Sequence, residues 1–311
     1  MGRFRCWLAL CLILVAVRGM AAEPPLSLVV LGSGGPGAVG RASSGFLVKI
    51  DGVPRILVDA GPGTFARLGE TGLSLAKTDI ILLTHLHADH TGELPGLVKA
   101  RAVAVREPIA FTIFGPEGHA AKGEDAYFPA TSRFVDLLFG AQGAFAYLPD
   151  FSGHITFKVN DLPSKPHVKQ KASVIYSEGD LIIRAIPGHH RDAPAVIYRI
   201  EHGGKSITFS GDIDAKGHDD LKIIAAGTSL LVFNSVVLDP PQAPPILYTL
   251  HTAPADIGSI AKESDATLLL LAHLSPATDQ NRGEVMQSIR QSGYQGGMRF
   301  AEDKDVIELS P

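Results

Sequence analysis

Residues 84–90 read Thr-His-Leu-His-Ala-Asp-His, directly after a short apolar run. If that run is a strand, His85 and His87 face the same side, because side chains two positions apart in an extended chain do so. They can therefore reach one metal ion together. Where the chain then turns, Asp89 and His90 can point to a second ion close by. Neutral imidazoles and a carboxylate suit zinc, and they also suit iron or manganese.

More candidate ligands stand just past apolar runs in the second half of the chain. Residues 181–186, 206–209 and 267–271 have the composition of buried strands. The residues of ligand type that follow them are His189, His190, Asp212 and His273. Side chains at the ends of several strands can converge on one place.

The order of patterns along the chain predicts two sheets with helices. Strand patterns cover residues 26–31, 45–50, 55–59, 79–83, 109–114, 181–186, 195–200, 206–210, 230–237, 267–271 and 306–309. Helical patterns begin near residues 64 and 94, and the stretch 115–118 indicates the start of another helix. Two further helical patterns cover residues 253–263 and 283–291. Because both halves combine strands with helices, we expect two sheets packed on each other with the helices outside.

The first 21 residues predict a cleaved export signal. Two arginines precede the unbroken apolar run 7–17, and small residues at 19–22 offer a cleavage site. The run is shorter than the roughly 20 residues that span a bilayer. We therefore expect an exported protein, periplasmic or secreted, with no membrane span after cleavage. Both cysteines, Cys6 and Cys11, leave with the signal, so any metal site uses nitrogen and oxygen ligands.

The remaining residues, 22–311, are interpreted as one globular domain, since the chain is 45% hydrophobic and 19% charged. Within them, residues 123–173 are less regular and rich in Phe, Tyr and Pro, which favours an insert of helix and loop. The formal net charge is −4, and a basic cluster stands only at 165–171. Nucleic acid is therefore not expected as a partner.

The pattern His-x-His-x-Asp-His at 85–90 resembles the first metal motif of the metallo-β-lactamase superfamily. The later motifs of the superfamily are matched in order by Pro-Gly-His-His at 187–190, Ser-Gly-Asp at 210–212 and Ala-His at 272–273. The resemblance implies an α/β fold, a four-layer αββα sandwich of two mixed sheets. It also implies two divalent metal ions, with zinc expected before iron or manganese.

The resemblance also implies a ligand for each ion. The ligands fall into two sets bridged by Asp212: His85, His87 and either His189 or His190 for the first ion, and Asp89, His90 and His273 for the second. The Pro-Gly-His pattern favours His189. The spacing to Asp212 and to Tyr198 favours His190, so both histidines stay open.

Several further stretches resemble the ribonuclease Z and arylsulfatase-like branch. They are residues 31–36, 56–64, 114–116 and 251–254. In that branch a histidine at the place of His251 acts near the scissile phosphate, which makes His251 a candidate general acid or phosphate-binding residue. The chain departs from the branch at Asn234, where ribonuclease Z-like proteins carry a glutamate shortly before this histidine.

Together these features predict an exported dinuclear metal-dependent hydrolase. The two ions would acidify a water molecule that attacks an ester-type bond of a small molecule, and Asp89 would orient that water or accept its proton. Phosphodiesters, sulfate esters and carboxylic esters including lactones all stay open as substrates. The alternative is a superfamily member that binds metal without turnover, as in cofactor biosynthesis. The resemblance to ribonuclease Z also implies a homodimer.

Overall fold

The computed structural model describes residues 23–37, 39–120, 126–151, 153–165 and 171–310. The export signal expected at 1–21 lies outside the described residues, as do both cysteines and most of the basic cluster. Among the described residues, no helix combines the length and the apolar character needed to cross a bilayer.

The described part of the chain contains fourteen strands and eight α-helices. The strands are β1 (Leu26–Gly32), β2 (Gly45–Ile50), β3 (Val53–Val58), β4 (Ile80–Leu82), β5 (Ile109–Pro116), β6 (Ile155–Leu162), β7 (Ser173–Glu178), β8 (Leu181–Pro187), β9 (Val196–His202), β10 (Lys205–Phe209), β11 (Leu230–Asn234), β12 (Leu268–Ala272), β13 (Gly297–Phe300) and β14 (Val306–Leu309). The helices are α1 (Thr64–Thr71), α2 (Ala88–Thr91), α3 (Leu94–Ala104), α4 (Thr131–Phe139), α5 (His218–Ala225), α6 (Pro254–Glu263), α7 (Pro276–Gln280) and α8 (Arg282–Gln291).

The strands form two mixed sheets of seven strands each. The first has the order β14-β1-β2-β3-β4-β5-β6, and the second has the order β13-β12-β11-β10-β9-β8-β7. In the first sheet, β14 to β3 pair antiparallel and β3 to β6 pair parallel. The second sheet repeats this scheme, antiparallel from β7 to β10 and parallel from β10 to β13.

Three apolar cores show how the layers stack. Leu28 and Val30 of β1 pack with strands of the other sheet, in a core between the two sheets. Their neighbour Val29 faces the other way, into a core with helices α1, α3 and α4. Leu269 of β12 faces a third core with helices α5, α6 and α8. Alternation along strands that are buried on both faces thus produces the expected αββα sandwich, with helices covering both outer faces.

The structure differs from the sequence prediction around residues 115–173. The chain past residue 115 does not open a helix, because β5 continues to Pro116 and α4 begins only at Thr131. The segment read as an insert of helix and loop contains α4, but it also contributes β6 to the edge of the first sheet. Along β6, Ile155, Phe157 and Val159 alternate with polar residues and face the core beneath α4, so the strand has a period-two pattern that the sequence prediction missed.

The fold places the predicted ligands at one edge. Strands β3 and β4 run parallel to each other in the first sheet, and β10, β11 and β12 do so in the second. The residues past their carboxyl ends meet where the two sheets face each other. In open α/β sheets, ligands bind at the carboxyl ends of strands. The candidate site is therefore built from loops that rigid, buried strands hold in place.

Candidate metal centre

A single carboxylate oxygen lies at the middle of the candidate site. Five imidazole nitrogens surround Asp212 Oδ2: His273 Nε2 at 3.6 Å, His90 Nε2 and His190 Nε2 at 3.7 Å, His251 Nδ1 at 3.8 Å and His85 Nε2 at 4.0 Å. Gly211 makes this approach feasible, because it has a φ of 58° and a side chain there would meet Thr84. Asp212 thus lies between the two predicted sets of ligands.

The potential ligand atoms divide into groups that could each hold an ion. One group is His85, His87 and His190, and another is Asp89, His90 and His273, with ligand atoms within 4.8 Å of one another in each group. Asp212 belongs to two further groups that overlap these, one with His85 and His90 and one with His190 and His251. These overlaps place Asp212 between the first two groups.

The structure distinguishes the two adjacent histidines that the sequence left open. His190 is buried, its Nε2 faces Asp212, and its Nδ1 lies 2.8 Å from the carbonyl oxygen of Leu250. His189 points elsewhere, and its Nδ1 lies 2.7 Å from Asp214 Oδ2. The geometry therefore brings His190, and not His189, into the cluster.

The orientation of His90 is fixed by a carboxylate that the sequence reading did not assign to the site. Asp59 Oδ2 lies 2.7 Å from His90 Nδ1, and the two Asp59 oxygens accept hydrogen bonds from the backbone N–H and the hydroxyl of Thr84, both at 2.8 Å. A proton on Nδ1 leaves Nε2 as the free ligand atom. The signal that could have identified Asp59 is its place, as a lone acid directly past the apolar strand β3.

The donor set fits divalent metal ions. The Nε2 atoms of His85 and His90 are buried and have no hydrogen-bond partner among the described residues. Buried polar atoms without a partner are costly and uncommon in folded proteins. Here they converge with carboxylates, and nitrogen and oxygen ligands of this kind suit zinc, iron and manganese. A bound cation would satisfy all of these atoms at once.

The pKa shifts of the histidines agree with a metal-binding site. Burial, followed by repulsion from His90, lowers the pKa of His85 well below its usual range, and burial with repulsion from His190 lowers the pKa of His87. These imidazoles are neutral at pH 7, the form that binds metal. Burial also opposes a charge on His90, but Asp59 outweighs it and raises the pKa of His90 well above its usual range. A metal ion must therefore displace a proton from His90.

The two carboxylates stay ionised. Burial by itself would raise the pKa of Asp212, but His273 and His251 hold it well below its usual range. Burial acts in the same sense on Asp89, and the hydrogen bond with His273, whose Nε2 lies 3.1 Å from Asp89 Oδ2, lowers the pKa of Asp89 to about 2. Both groups are therefore anionic in the physiological pH range.

His273 has a left-handed backbone, with a φ of 52°. Residues other than glycine adopt this conformation at a cost, and they persist in it where the surroundings hold them. Leu274, the next residue, donates from its N–H to the carbonyl oxygen of Ser33 at 2.9 Å and accepts from the N–H of Gly35 at 3.2 Å. A side chain at Gly35 would collide with the His273 imidazole. The glycine-rich loop thus clamps His273 in the cluster.

The residue His251 lies at the rim of the cluster, just before α6. Its Nδ1 is buried, has no hydrogen-bond partner among the described residues, and faces Asp212 Oδ2. Burial lowers the pKa of His251 to about 4, despite the attraction of Asp212. The imidazole is therefore neutral at pH 7, which suits a hydrogen bond to a substrate oxygen better than delivery of a proton.

The fold and the site together define a class of protein. Two seven-stranded sheets packed face to face, with a cluster of histidines and aspartates at one edge, are the architecture of the metallo-β-lactamase fold. The sequence matches the family described as Beta-lactamase superfamily domain over residues 54–274, and the chain belongs to this family.

Similar proteins of known name extend the comparison. The chain is 26% identical over 301 residues to a ribonuclease Z of Mycobacterium bovis, with 92% of this chain and 99% of that protein covered. Among solved structures, it is similar to the metallo-β-lactamase fold protein YhfI from Bacillus subtilis, with a TM-score of 0.67, 19% identity, and coverage of 92% and 100%. It is also similar to the short form of human tRNase Z, with a TM-score of 0.66, 21% identity, and coverage of 90% and 98%.

These relatives correct one expectation drawn from charge. The net charge of −4 argued against nucleic acid as a partner, but the curated relative is a ribonuclease by name. An overall acidic balance does not describe the charge around the site itself, so the exclusion of nucleic acid is not supported.

Proposed function

We propose that this protein is a metal-dependent phosphodiesterase that holds two divalent ions, with zinc as the first candidate. The observation that carries the proposal is the position of Asp212 Oδ2, 3.6–4.0 Å from imidazoles of both ligand groups. Two neighbouring ions bridged by a carboxylate would acidify a water molecule and polarise a phosphoryl group between them.

The residues of the chain divide into those that hold the ions and those that serve the substrate. His85, His87 and His190 would hold one ion, Asp89, His90 and His273 would hold the other, and Asp212 would bridge them. Asp89 keeps one face toward solvent, since its side chain is 18% exposed, so it can also orient a water molecule or accept its proton. His251 would bind a phosphoryl oxygen through a hydrogen bond.

The choice of a phosphodiester over a sulfate or carboxylic ester comes from the relatives. The ribonuclease Z of M. bovis is matched over nearly its whole length, and a ribonuclease by name cleaves phosphodiesters. We further propose that the chain is exported through the signal at 1–21, and this part of the proposal depends on the sequence pattern alone. An exported phosphodiesterase would meet small diesters or nucleic-acid fragments outside the cytosol.

The test is metal content and hydrolysis on the same preparation. Metals are quantified by mass spectrometry, and bis-p-nitrophenyl phosphate, an aryl sulfate and a lactone are assayed in parallel. We expect about two ions per chain and hydrolysis of the phosphodiester alone, with Asp212→Ala losing both. His154→Ala is the matched control, because this histidine is 65% exposed and lies outside the cluster.

Three other outcomes would change the proposal. Preferred cleavage of the sulfate or the lactone would overturn the choice of bond and keep the hydrolase. Two ions without turnover of any ester would favour the alternative, a member of the family that binds metal without hydrolysis. Absence of metal after supplementation with zinc, iron and manganese would overturn the ligand assignment.

A further inference from the structure

A cavity of about 390 Å³ opens directly beside the candidate metal centre. It shares His190 with the cluster, so a molecule bound at the ions can extend into it. The ionisable residues that line it are His119, Lys165, His189, His190, Arg191 and Asp192. Bases outnumber the single acid in this set, which favours an anionic or strongly polar occupant.

One buried carboxylate organises the wall of this cavity. Asp214 Oδ2 lies 2.7 Å from His189 Nδ1 and accepts the backbone N–H of Arg191 at 2.9 Å, while Oδ1 accepts the backbone N–H of Lys216 at 2.9 Å. The N–H of Asp214 in turn donates to the carbonyl oxygen of His189 at 2.8 Å. Asp214 is therefore tied to both residues that flank His190 in sequence.

His189 is held with one nitrogen free. Since Nδ1 is engaged by Asp214, the ring orientation is set, and Nε2 makes no hydrogen bond with any of the described residues. The side chain is 19% exposed and lines the cavity. The His189 imidazole is therefore held in a fixed orientation beside the candidate metal centre, and its Nε2 has no partner among the described residues.

Arg191 follows His190 in a left-handed backbone conformation, with a φ of 54°. A left-handed backbone costs free energy in an arginine, and residues with such strained conformations are concentrated at ligand-binding sites. Within the described part of the chain, its guanidinium makes no ion pair. The backbone N–H bond to Asp214 and the turn between His190 and Ala193 hold the strained residue at the cavity.

We propose that this cavity binds a second phosphate group carried by the substrate, with Arg191 and His189 as its donors and Asp214 as their positioning residue. The inference deepens the proposed function and rests on it, since the first phosphoryl group would lie at the metal centre. A guanidinium presents paired N–H donors that match the oxygens of a phosphate, and an adjacent imidazole supplies a further hydrogen bond. Asp212 and Asp214, two residues apart, would then serve the metal ions and the substrate respectively.

The experiment compares two ligands that differ by one phosphate. Binding of thymidine 3′,5′-bisphosphate and thymidine 5′-monophosphate to the metal-loaded protein is measured by calorimetry, so that the readout does not depend on turnover. We expect the bisphosphate to bind about tenfold more tightly, as one charge-assisted contact would give, and Arg191→Ala to reduce this ratio to about one. Arg106→Ala is the matched control, an exposed arginine outside the cavity, and should keep the ratio.

The positioning role of Asp214 is tested with Asp214→Asn. We expect this variant to lose most of the preference for the bisphosphate while it retains its metal ions and its affinity for the monophosphate. A purely structural role would instead weaken both ligands together.

The outcomes separate this inference from the proposed function. A ratio of about one in the unmodified protein, or an unchanged ratio in Arg191→Ala, would overturn the second phosphate site. A preserved preference for the bisphosphate in a protein that cleaves no phosphodiester would support the cavity and contradict the phosphodiesterase.

Discussion

The side-chain amide of Asn234 donates a hydrogen bond to Asp212 Oδ1 at 2.7 Å. Both side chains are buried, and the bond turns the other oxygen, Oδ2, toward the five imidazoles. Asn234 is also the residue at which the chain departs from the ribonuclease Z pattern. The departure therefore has a structural role here, because a neutral amide can hold the Asp212 carboxylate by donation, whereas an ionised glutamate could not.

The first prediction concerns this bond. Asn234→Ala removes the donor and should weaken metal binding by about 10- to 100-fold, the usual effect of losing a partner of a ligand. Asn234→Asp should be worse, since it places a second anion against Asp212. Competition with a chromophoric zinc chelator measures the affinity. Asn160→Ala, on the edge strand β6, is the control, and equal affinities in all four proteins would contradict the role of Asn234.

The second prediction concerns the carboxylate behind His90. In Asp59→Asn, one of the two acceptor oxygens becomes an NH₂ group, so either Thr84 or His90 Nδ1 loses its acceptor. Without an acceptor at Nδ1, the proton moves to Nε2, the atom that must bind metal. Asparagine tolerates the positive φ of 56° at this position, so the backbone should not change.

We therefore expect Asp59→Asn to lose one of two ions selectively. The ion held by Asp89, His90 and His273 should bind about 10- to 100-fold more weakly, while the ion at His85, His87 and His190 stays. Metal titration with a readout of stoichiometry detects this as a change from two tight sites to one. Retention of two equally tight sites would show that Asp59 does not set the state of His90.

The third prediction separates two roles for His251. If this histidine binds a phosphoryl oxygen, His251→Ala should leave both ions in place and lower kcat by about 10²- to 10³-fold, the usual effect of losing one preorganised hydrogen-bond donor. Its Nδ1 also faces Asp212 at 3.8 Å, close enough to belong to a ligand group. Metal analysis of the variant decides between the roles, since loss of one ion would make His251 a ligand and not a substrate-contacting residue.

Much of this site could be predicted from the sequence because its main motif is local. The ligands at 85–90 lie within six residues, and an extended strand followed by a turn is enough to direct them. The same holds for Asp212 and His273, each placed just past an apolar strand. The sandwich of two sheets could also be predicted, since strands such as β1 and β12 are apolar on both faces.

The remaining features depend on contacts between distant segments. His190 and not His189 enters the cluster because Leu250 accepts from one and Asp214 engages the other, and neither partner is near in sequence. Asp59, directly after β3, contacts His90 of α2, which lies 31 residues further along the chain. These features follow from packing, which a pattern along one segment does not contain.

The last prediction concerns the loop that clamps His273. Asp303 accepts four hydrogen bonds, from the backbone and the hydroxyl of Ser33, from the backbone of Ala42 and from Arg67, at 2.7–3.0 Å. Burial would raise the pKa of Asp303, but these bonds outweigh it and lower the pKa. The ionised carboxylate thus stabilises the folded state.

The sign of the pH dependence follows from that shift. A carboxyl whose pKa is lower in the folded protein contributes its full stability above the unfolded value of about 4, and the contribution is lost as the pH falls through the folded pKa. Asp303→Asn should therefore lower the free energy of unfolding by about 2 kcal/mol at pH 7, since hydrogen bonds to a charged group are lost. The difference between the two proteins should shrink as the pH falls below about 4, because the unfolded carboxylate then takes up a proton that the folded one still excludes.

Urea unfolding at pH 7 and at pH 3 measures both values. Chelator is present throughout, so that loss of metal at low pH does not contribute. Asp150→Asn is the control, because the side chain of Asp150 is 89% exposed and its change should alter stability little at either pH. A deficit of Asp303→Asn that is equally large at pH 3 would mean that the shape of the side chain, and not its charge, holds the loop of Ser33 against Leu274.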